Sequence, residues 1–177
     1  MDPQVIEALN AEGASMAGFL PNESVSVKDV LYGVILPSGA DATTLTSNYI
    51  SGSEAAFAEE MNRYAEKLGM KDTHFLNASG LHQEGHYSTV DDLRILLTEA
   101  LKNKDFYDVF TIFDYQGEPC PLLGAGYTMQ STVSKSDLSL NNGVIVGGKT
   151  GFTDEAALCL ASIAEINGVA EQSIYKH

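Results

Sequence analysis

The strongest indication of the fold is Gly143-Val-Ile-Val-Gly-Gly-Lys-Thr-Gly-Phe-Thr153. An apolar run from Ala156 to Ile166 and the pair Asn167-Gly168 follow it. The β-branched residues near the start of the first segment favour a strand. The run 156–166 contains alanines and leucines that would also suit a helix. The Asn-Gly pair between two apolar runs favours a hairpin instead, because a type I′ turn needs positive φ at both central positions. The sequence therefore predicts antiparallel strands at this end of the chain.

Helical patterns come before these strands. Ser26-Val-Lys-Asp29 predicts a capping box that opens a helix, which Pro37 and Gly39 end. Further helices are predicted from about Asp41, over Ser53–Leu68, after a second capping box at Ser88–Asp91, and over Phe106–Ile112. The buried faces predicted for the second and third of these are Phe57, Met61, Tyr64, Ala65 and Leu68, and Val90, Leu93, Leu96, Leu97, Ala100 and Leu101. No long element is predicted before Glu23, and the order of helices first and strands later indicates an α+β fold.

Composition excludes several classes of function. The 177 residues suit one globular domain, and they carry 24 acidic against 10 basic side chains, a net charge of −14. Such a chain lacks the basic surface that nucleic acids or anionic membranes require, so no nucleic-acid partner is predicted. No apolar run approaches the length of a membrane span, and the N-terminus shows neither the basic start nor the apolar stretch of a signal peptide.

The segment from Gly143 to Thr150 matches the phosphate-loop pattern G-x-x-x-x-G-K-[ST] letter for letter. That loop needs a buried strand before it and flexible residues within it. Here the variable positions are Val, Ile and Val, which favour a strand themselves, and the preceding residues 136–142 are too polar for a buried strand. We therefore do not predict a nucleotide site.

No metal or cofactor site is predicted either. His82 and His86 stand four residues apart, but neighbouring glycines place them in a loop, whereas a zinc site of this spacing needs one helical face. Cys120 and Cys159 are interpreted as unrelated thiols, with a disulfide as the alternative.

The tripeptide Lys149-Thr150-Gly151 is the strongest candidate for a binding site. A lysine and a threonine hydroxyl at a strand edge can receive a carboxylate. With its neighbours, it resembles the serine-type D-alanyl-D-alanine carboxypeptidases, the low-molecular-mass penicillin-binding proteins of peptidase family S11. The matching segments, in the family's order, are Gly13–Gly18, Val27–Gly39, Gly52–Phe57, Leu68–Phe75, Asn77–Leu81, Gly85–Thr89 and Gly148–Asp154.

The resemblance implies a serine β-lactamase/DD-peptidase-like fold over residues 1–177, with a helical lobe at about 24–112 and part of an antiparallel sheet at about 113–177. It also implies acyl transfer: a serine attacks the bond between two D-alanines of a peptidoglycan stem peptide, and β-lactams stop the reaction at the acyl-enzyme. By resemblance, Ser38 relays protons, Lys149 and Thr150 hold the terminal carboxylate, and Gly151 leaves room for the substrate.

Two departures from the family pattern bear on activity. Ala40 stands where the family's S-x-N motif has Asn, and a methyl group cannot replace the amide's hydrogen bonds. The S-x-x-K motif, which supplies nucleophile and base, lies upstream of the Gly13 region in the family, and the Ser173–Lys176 match to its letters is interpreted as coincidence.

These departures lead to three further expectations. The domain is expected to be incomplete, with no turnover by this chain alone. The alternatives are a non-catalytic protein that binds D-Ala-terminated peptidoglycan peptides and an inactive fragment. Self-association or a complementing N-terminal segment is expected to cover the faces that the motif's helix would pack on. An extracytoplasmic location in the cell envelope is implied by the resemblance.

Overall fold

The computed structural model describes the main chain of residues 1–176 and the side chains of residues 1–175. Within these residues the helices come first: α1 (Pro3–Ala11), α2 (Val27–Ile35), α3 (Ala40–Ser51), α4 (Glu54–Leu68), α5 (Val90–Ala100) and α6 (Lys104–Phe110). The strands follow: β1 (Asp114–Gln116), β2 (Thr128–Gln130), β3 (Ser139–Leu140), β4 (Gly143–Thr153), β5 (Ala157–Ile166) and β6 (Val169–Lys176), with a 3-10 helix at Thr132–Lys135 between β2 and β3. The predicted α+β class is confirmed. None of the described helices is both long and apolar enough to cross a bilayer.

All strand pairs are antiparallel. β1 pairs with β2, and the larger sheet has the order β3-β4-β5-β6. The predicted hairpin joins β5 to β6, where Asn167 and Gly168 have φ of 51° and 79°, the left-handed values that a type I′ turn requires. Residues 157–166 of the apolar run therefore form a strand, as the turn predicted.

Most helix ends agree with their sequence signals. Ser26 and Ser53 are N-caps whose hydroxyls accept the backbone N–H three residues later, at 3.0 and 3.2 Å. Gly69 ends α4 with φ of 82°. The cap of α5 is Thr89 rather than Ser88, since the Thr89 hydroxyl accepts the N–H of Asp92.

Two predicted core positions and one helix need correction. Tyr64 on α4 and Val90 at the start of α5 are 48% and 42% exposed, so the apolar side of each helix is only partly covered at these positions. The first helix, α1, was not predicted, although Asp2 caps it and Pro3 occupies its first turn. That pair of residues is a start signal in the sequence.

Two apolar clusters hold the elements together. The first joins α2 and α3 to β1 and β2 and includes the stacked rings of Tyr32 and Tyr115, whose centroids are 3.8 Å apart. The second packs Leu97 of α5 and Phe110 of α6 against Ile163 of β5. The clusters fix the C-terminal end of α2 and the strands β4 and β5, which together form the cavity described next.

Candidate active site

One cavity, of about 740 Å³, brings the sequence-predicted site residues together. Its walls include Ser38 from the turn before α3, Ala40 at the start of α3, residues 78–81 of the loop before α5, Thr132 of the 3-10 helix, and residues 149–153 of β4. The cavity is thus lined by four predicted site residues: Ser38, Lys149, Thr150 and Gly151. The first and last of them are more than 100 positions apart in the sequence.

The edge of β4 beside the cavity has no strand partner beyond its first residues. β3 pairs only with Gly143 and Val144, and no other described strand continues along that edge. Gly147 lets the strand approach α6 closely, because a Cβ there would lie 2.4 Å from the carbonyl oxygen of Phe110. Gly151 is open: a Cβ would meet only that of Cys159, at 3.8 Å. An extended ligand therefore has access to β4 alongside Gly151.

Lys149 supplies the positive charge of the cavity. It is the only Asp, Glu, Lys, Arg or His side chain among the described lining residues. Its Nζ donates to the carbonyl oxygen of Thr150. Burial lowers the pKa of the Lys149 ammonium to about 8, because desolvation penalises the charged form. Lys149 is therefore still mostly protonated at pH 7 and can attract an anion in a chain whose net charge is −14.

The Thr150 hydroxyl is held by a residue that the sequence did not indicate. Its Oγ1 donates to Oγ1 of Thr132 at 2.6 Å, and the backbone N–H of Thr132 donates to the carbonyl oxygen of Leu36 at 3.0 Å. Thr132 thereby connects β4 to the segment that leads into Ser38. No local pattern marks this contact, since the two threonines are 18 positions apart.

Ser38 occupies a constrained turn between α2 and α3. Its φ is 62°, in the left-handed region that costs a residue with a side chain about 1 kcal/mol or more. Gly39, which follows, has no room for a side chain: a Cβ would lie 2.7 Å from the backbone nitrogen of Ala17. The Ser38 hydroxyl makes no hydrogen bond to any described residue, so it is free to contact a ligand.

Asp41 fixes the same turn from inside. Its carboxylate is fully buried and accepts the backbone N–H groups of residues 17, 18, 19 and 42 at 2.7 to 3.0 Å. Ala40, one position earlier, is 4% exposed and places only a methyl group at the cavity wall. No local pattern marks Asp41 as a residue that shapes the site, because three of its four partners lie 22 to 24 residues away.

The remaining candidates from the sequence lie where their patterns indicated. His82 and His86 are in a loop, with His86 Nδ1 accepting the N–H of Leu76 at 3.1 Å. The phosphate-loop match is part of the extended strand β4, and both cysteines are free thiols. Ser173 lies on β6 and is not among the described residues that line the cavity.

Sequence and structure comparisons give the same family. Residues 4–174 match the family model for D-alanyl-D-alanine carboxypeptidases, peptidase family S11. The chain is 39% identical over 162 residues to D-alanyl-D-alanine carboxypeptidase DacF of Bacillus subtilis strain 168, and 34% identical over 164 residues to the D-alanyl-D-alanine carboxypeptidase of Streptomyces sp. strain K15. These alignments cover 86% and 89% of the chain. The chain belongs to the D-alanyl-D-alanine carboxypeptidase family.

Solved structures show the same architecture. The crystal structure of the Streptomyces K15 DD-transpeptidase superposes with a TM-score of 0.81 at 26% identity, covering 98% of this chain and 68% of that one. D-alanyl-D-alanine carboxypeptidase from Mycobacterium tuberculosis H37Rv gives a TM-score of 0.77 at 25% identity, covering 92% and 60%. The DD-peptidase-like fold is therefore confirmed. The chain spans 39% of the length of the Bacillus relative and 56% of the Streptomyces relative.

Proposed function

We propose that this chain binds peptides ending in D-alanyl-D-alanine, the stem peptides of peptidoglycan, and is part of a carboxypeptidase that removes the terminal D-alanine. The observation that carries the proposal is the cavity that Ser38 shares with Lys149, Thr150 and Gly151, in which Lys149 is the one charged lining side chain among the described residues. A peptide carboxylate binds to the Lys149 ammonium and the Thr150 hydroxyl. The peptide then runs past Gly151 along the free edge of β4, and Ser38 faces its scissile end.

Hydrolysis needs a nucleophile with a base in hydrogen-bond reach. Three serines line the cavity: Ser15, Ser38 and Ser79. Within the described residues none of their hydroxyls bonds to a lysine or histidine, and the one contact of these hydroxyls with a side chain is from Ser79 to Asn77. We therefore assign to this chain the substrate-holding part of the reaction. A complementing N-terminal segment carrying S-x-x-K supplies the nucleophile and base, and β-lactams acylate that serine in the completed site.

A second candidate is a binding protein without catalysis. Ala40 favours it, because the methyl group that stands in place of the family's Asn cannot hydrogen-bond a substrate amide. Loss of one such contact costs about 1 to 3 kcal/mol, which slows a reaction without removing the carboxylate site. For either candidate we propose an extracytoplasmic location in the cell envelope, because members of the family act on cell-wall peptidoglycan.

Calorimetric titration with N-acetyl-D-alanyl-D-alanine tests the binding. We expect saturable binding that weakens by about tenfold or more in Lys149→Ala and with the C-terminal amide of the same peptide. Equal binding of the acid and the amide would contradict the proposal.

Incubation with a labelled penicillin tests whether this chain binds the substrate without supplying the nucleophile. Intact-mass measurement should find no covalent adduct on this chain alone, and an adduct on one of its serines would show that the chain carries its own nucleophile. Addition of a peptide with the S-x-x-K helix separates the two candidates. A penicillin adduct on the S-x-x-K peptide supports the carboxypeptidase. Binding of N-acetyl-D-alanyl-D-alanine without any adduct on the S-x-x-K peptide supports the non-catalytic protein.

A further inference from the structure

Thr132 lines the cavity and makes hydrogen bonds to both segments of the proposed site. Its hydroxyl is 2.6 Å from that of Thr150 on β4, and its backbone N–H bonds the carbonyl oxygen of Leu36, two residues before Ser38. Leu36 is fully buried, so the bond anchors Thr132 to the core.

The main chain on either side of Thr132 is fixed as well. Ser131 is 1% exposed, and its N–H donates to the carbonyl oxygen of Phe113 at 2.8 Å. Val133 is 1% exposed and lies against Gly148, where a Cβ would be 3.2 Å from its Cγ2. The hydroxyl of Thr132 is therefore presented to β4 by a rigid support, which is the condition for orienting another side chain.

The direction of the threonine–threonine hydrogen bond must reverse when an anion binds. Thr150 donates its only hydroxyl proton to Thr132 in the structure. An ionised carboxylate is an acceptor only, so Thr150 can bond it only by donating that proton to the ligand. The Thr132 hydroxyl has no other partner among the described residues, and a hydroxyl rotates about its C–O bond. Thr132 can then donate to Thr150 in turn.

We propose that Thr132 is a positioning residue: it holds the Thr150 hydroxyl in place and becomes its hydrogen-bond donor when a carboxylate ligand binds. This proposal rests on the proposed function, which supplies the carboxylate. Two hydroxyls in series that point toward an anion polarise each other, and this strengthens the terminal bond. The contribution is larger for a charged ligand, because a polarised donor chain stabilises an ionised carboxylate more than the neutral oxygen of an amide.

The test compares Thr132→Val, which keeps the shape and removes the hydroxyl, with Thr132→Ser, which keeps the hydroxyl. The ligands are N-acetyl-D-alanyl-D-alanine and its C-terminal amide, titrated into the full chain. We expect Thr132→Val to weaken binding of the acid by about five- to tenfold, the value of one hydrogen bond, and Thr132→Ser to bind within about twofold of the unaltered chain. Ser134→Ala removes a neighbouring hydroxyl that bonds the Ser131 carbonyl instead, and it should leave binding unchanged.

A double-mutant cycle separates positioning from a general effect on the fold. In a Thr150→Val background, Thr132→Val should cost no further affinity, because the hydroxyl that it orients is absent. Additive losses, an equal loss for acid and amide, or failure of Thr132→Ser to restore binding would each overturn the proposal.

A ligand-free measurement distinguishes this proposal from the proposed function. The side-chain torsion of Thr150, measured by NMR three-bond couplings, should average over rotamers in Thr132→Val and stay fixed in Thr132→Ser. If the unaltered chain binds no carboxylate peptide, the proposed function is wrong, and the coupling result alone decides whether Thr132 orients Thr150. An unchanged torsion in Thr132→Val overturns the orienting role whatever the binding result.

Discussion

The carboxylate of Asp41 accepts the backbone N–H of Ala17 at 2.7 Å and so joins two segments that enter the cavity wall from different directions. The same carboxylate bonds the next two N–H groups, those of Gly18 and Phe19. Gly39 is enclosed by this arrangement, since a Cβ there would lie 2.7 Å from both the Ala17 nitrogen and an Asp41 oxygen. The turn that carries Ser38 is therefore built around one buried charge.

Asp41→Asn should destabilise the protein strongly. An amide presents one acceptor oxygen, while its NH₂ group would face backbone donors, so buried N–H groups lose their partner. We expect the free energy of unfolding to fall by about 2 to 4 kcal/mol. Urea denaturation followed by circular dichroism measures the change. The matched control Glu59→Gln, on an exposed position of α4, should stay within about 0.5 kcal/mol, and an equally small effect at Asp41 would contradict the assigned role.

The parts of the fold that follow local rules could be predicted from the sequence. The caps at Ser26 and Ser53, the stop at Gly69 and the turn at Asn167-Gly168 each depend on a few adjacent residues, and each has the conformation that its residue types favour. The missed helix α1 also carried such a signal in Asp2 and Pro3.

The contacts that shape the site could not be predicted from local sequence. Asp41 and Ala17 are 24 positions apart, and Thr132 and Thr150 are 18 apart, so neither pair leaves a periodic pattern. The prediction that Tyr64 and Val90 are buried was wrong for a related reason. Periodicity gives a helix its apolar side, but how far a packing partner extends along that side depends on the tertiary fold.

The pKa of Lys149 predicts how ligand affinity depends on pH. Burial lowers this pKa to about 8, so the ammonium is present at pH 7 and is lost as the pH rises through 8. A bound carboxylate favours the charged form and raises the pKa in the complex. Between the two pKa values the dissociation constant of N-acetyl-D-alanyl-D-alanine should rise by about tenfold per pH unit. Calorimetric titrations from pH 6 to 10 measure this, and pH-independent affinity would contradict it.

The ligand-free protein provides a control for the same group. With its pKa lowered from 10.5 to about 8, folded Lys149 binds fewer protons than the unfolded chain between these pH values. Stability from this group therefore rises with pH across that window. The difference in unfolding free energy between the unaltered chain and Lys149→Met should shift in that direction from pH 7.5 to 10. A constant difference would show that Lys149 is not desolvated.

The lowered pKa of His86 predicts that the folded protein loses stability in acid. Burial, together with nearby His74 and His82, lowers its pKa below 6.5, and its neutral Nδ1 accepts the N–H of Leu76. The folded state therefore binds fewer protons than the unfolded state just below pH 6.5. The stability contribution is complete above 6.5 and is lost as the pH falls toward the lowered pKa.

His86→Asn should reduce this acid sensitivity, because an amide oxygen can accept the same N–H without titrating. We expect the loss of unfolding free energy between pH 7 and 5 to be smaller than in the unaltered chain by up to about 1 kcal/mol. His86→Phe cannot accept the bond, so it should be less stable than His86→Asn at every pH and share its reduced slope. Urea titrations at several pH values measure both, and an unaltered slope in His86→Asn would refute the assignment.

Two glycines on β4 should separate stability from binding. At Gly147 an added Cβ would lie 2.4 Å from the carbonyl oxygen of Phe110, so Gly147→Ala must displace main chain and should cost about 1 to 3 kcal/mol of stability. At Gly151 an added Cβ meets only the Cys159 Cβ at 3.8 Å, so Gly151→Ala should change stability by no more than about 0.5 kcal/mol.

The methyl group of Gly151→Ala would nevertheless stand beside the edge of β4 along which the ligand is proposed to lie. Gly151→Ala should therefore weaken binding of N-acetyl-D-alanyl-D-alanine by about tenfold or more through overpacking. Unchanged affinity would show that the peptide does not run along β4, even if Lys149 still binds its carboxylate.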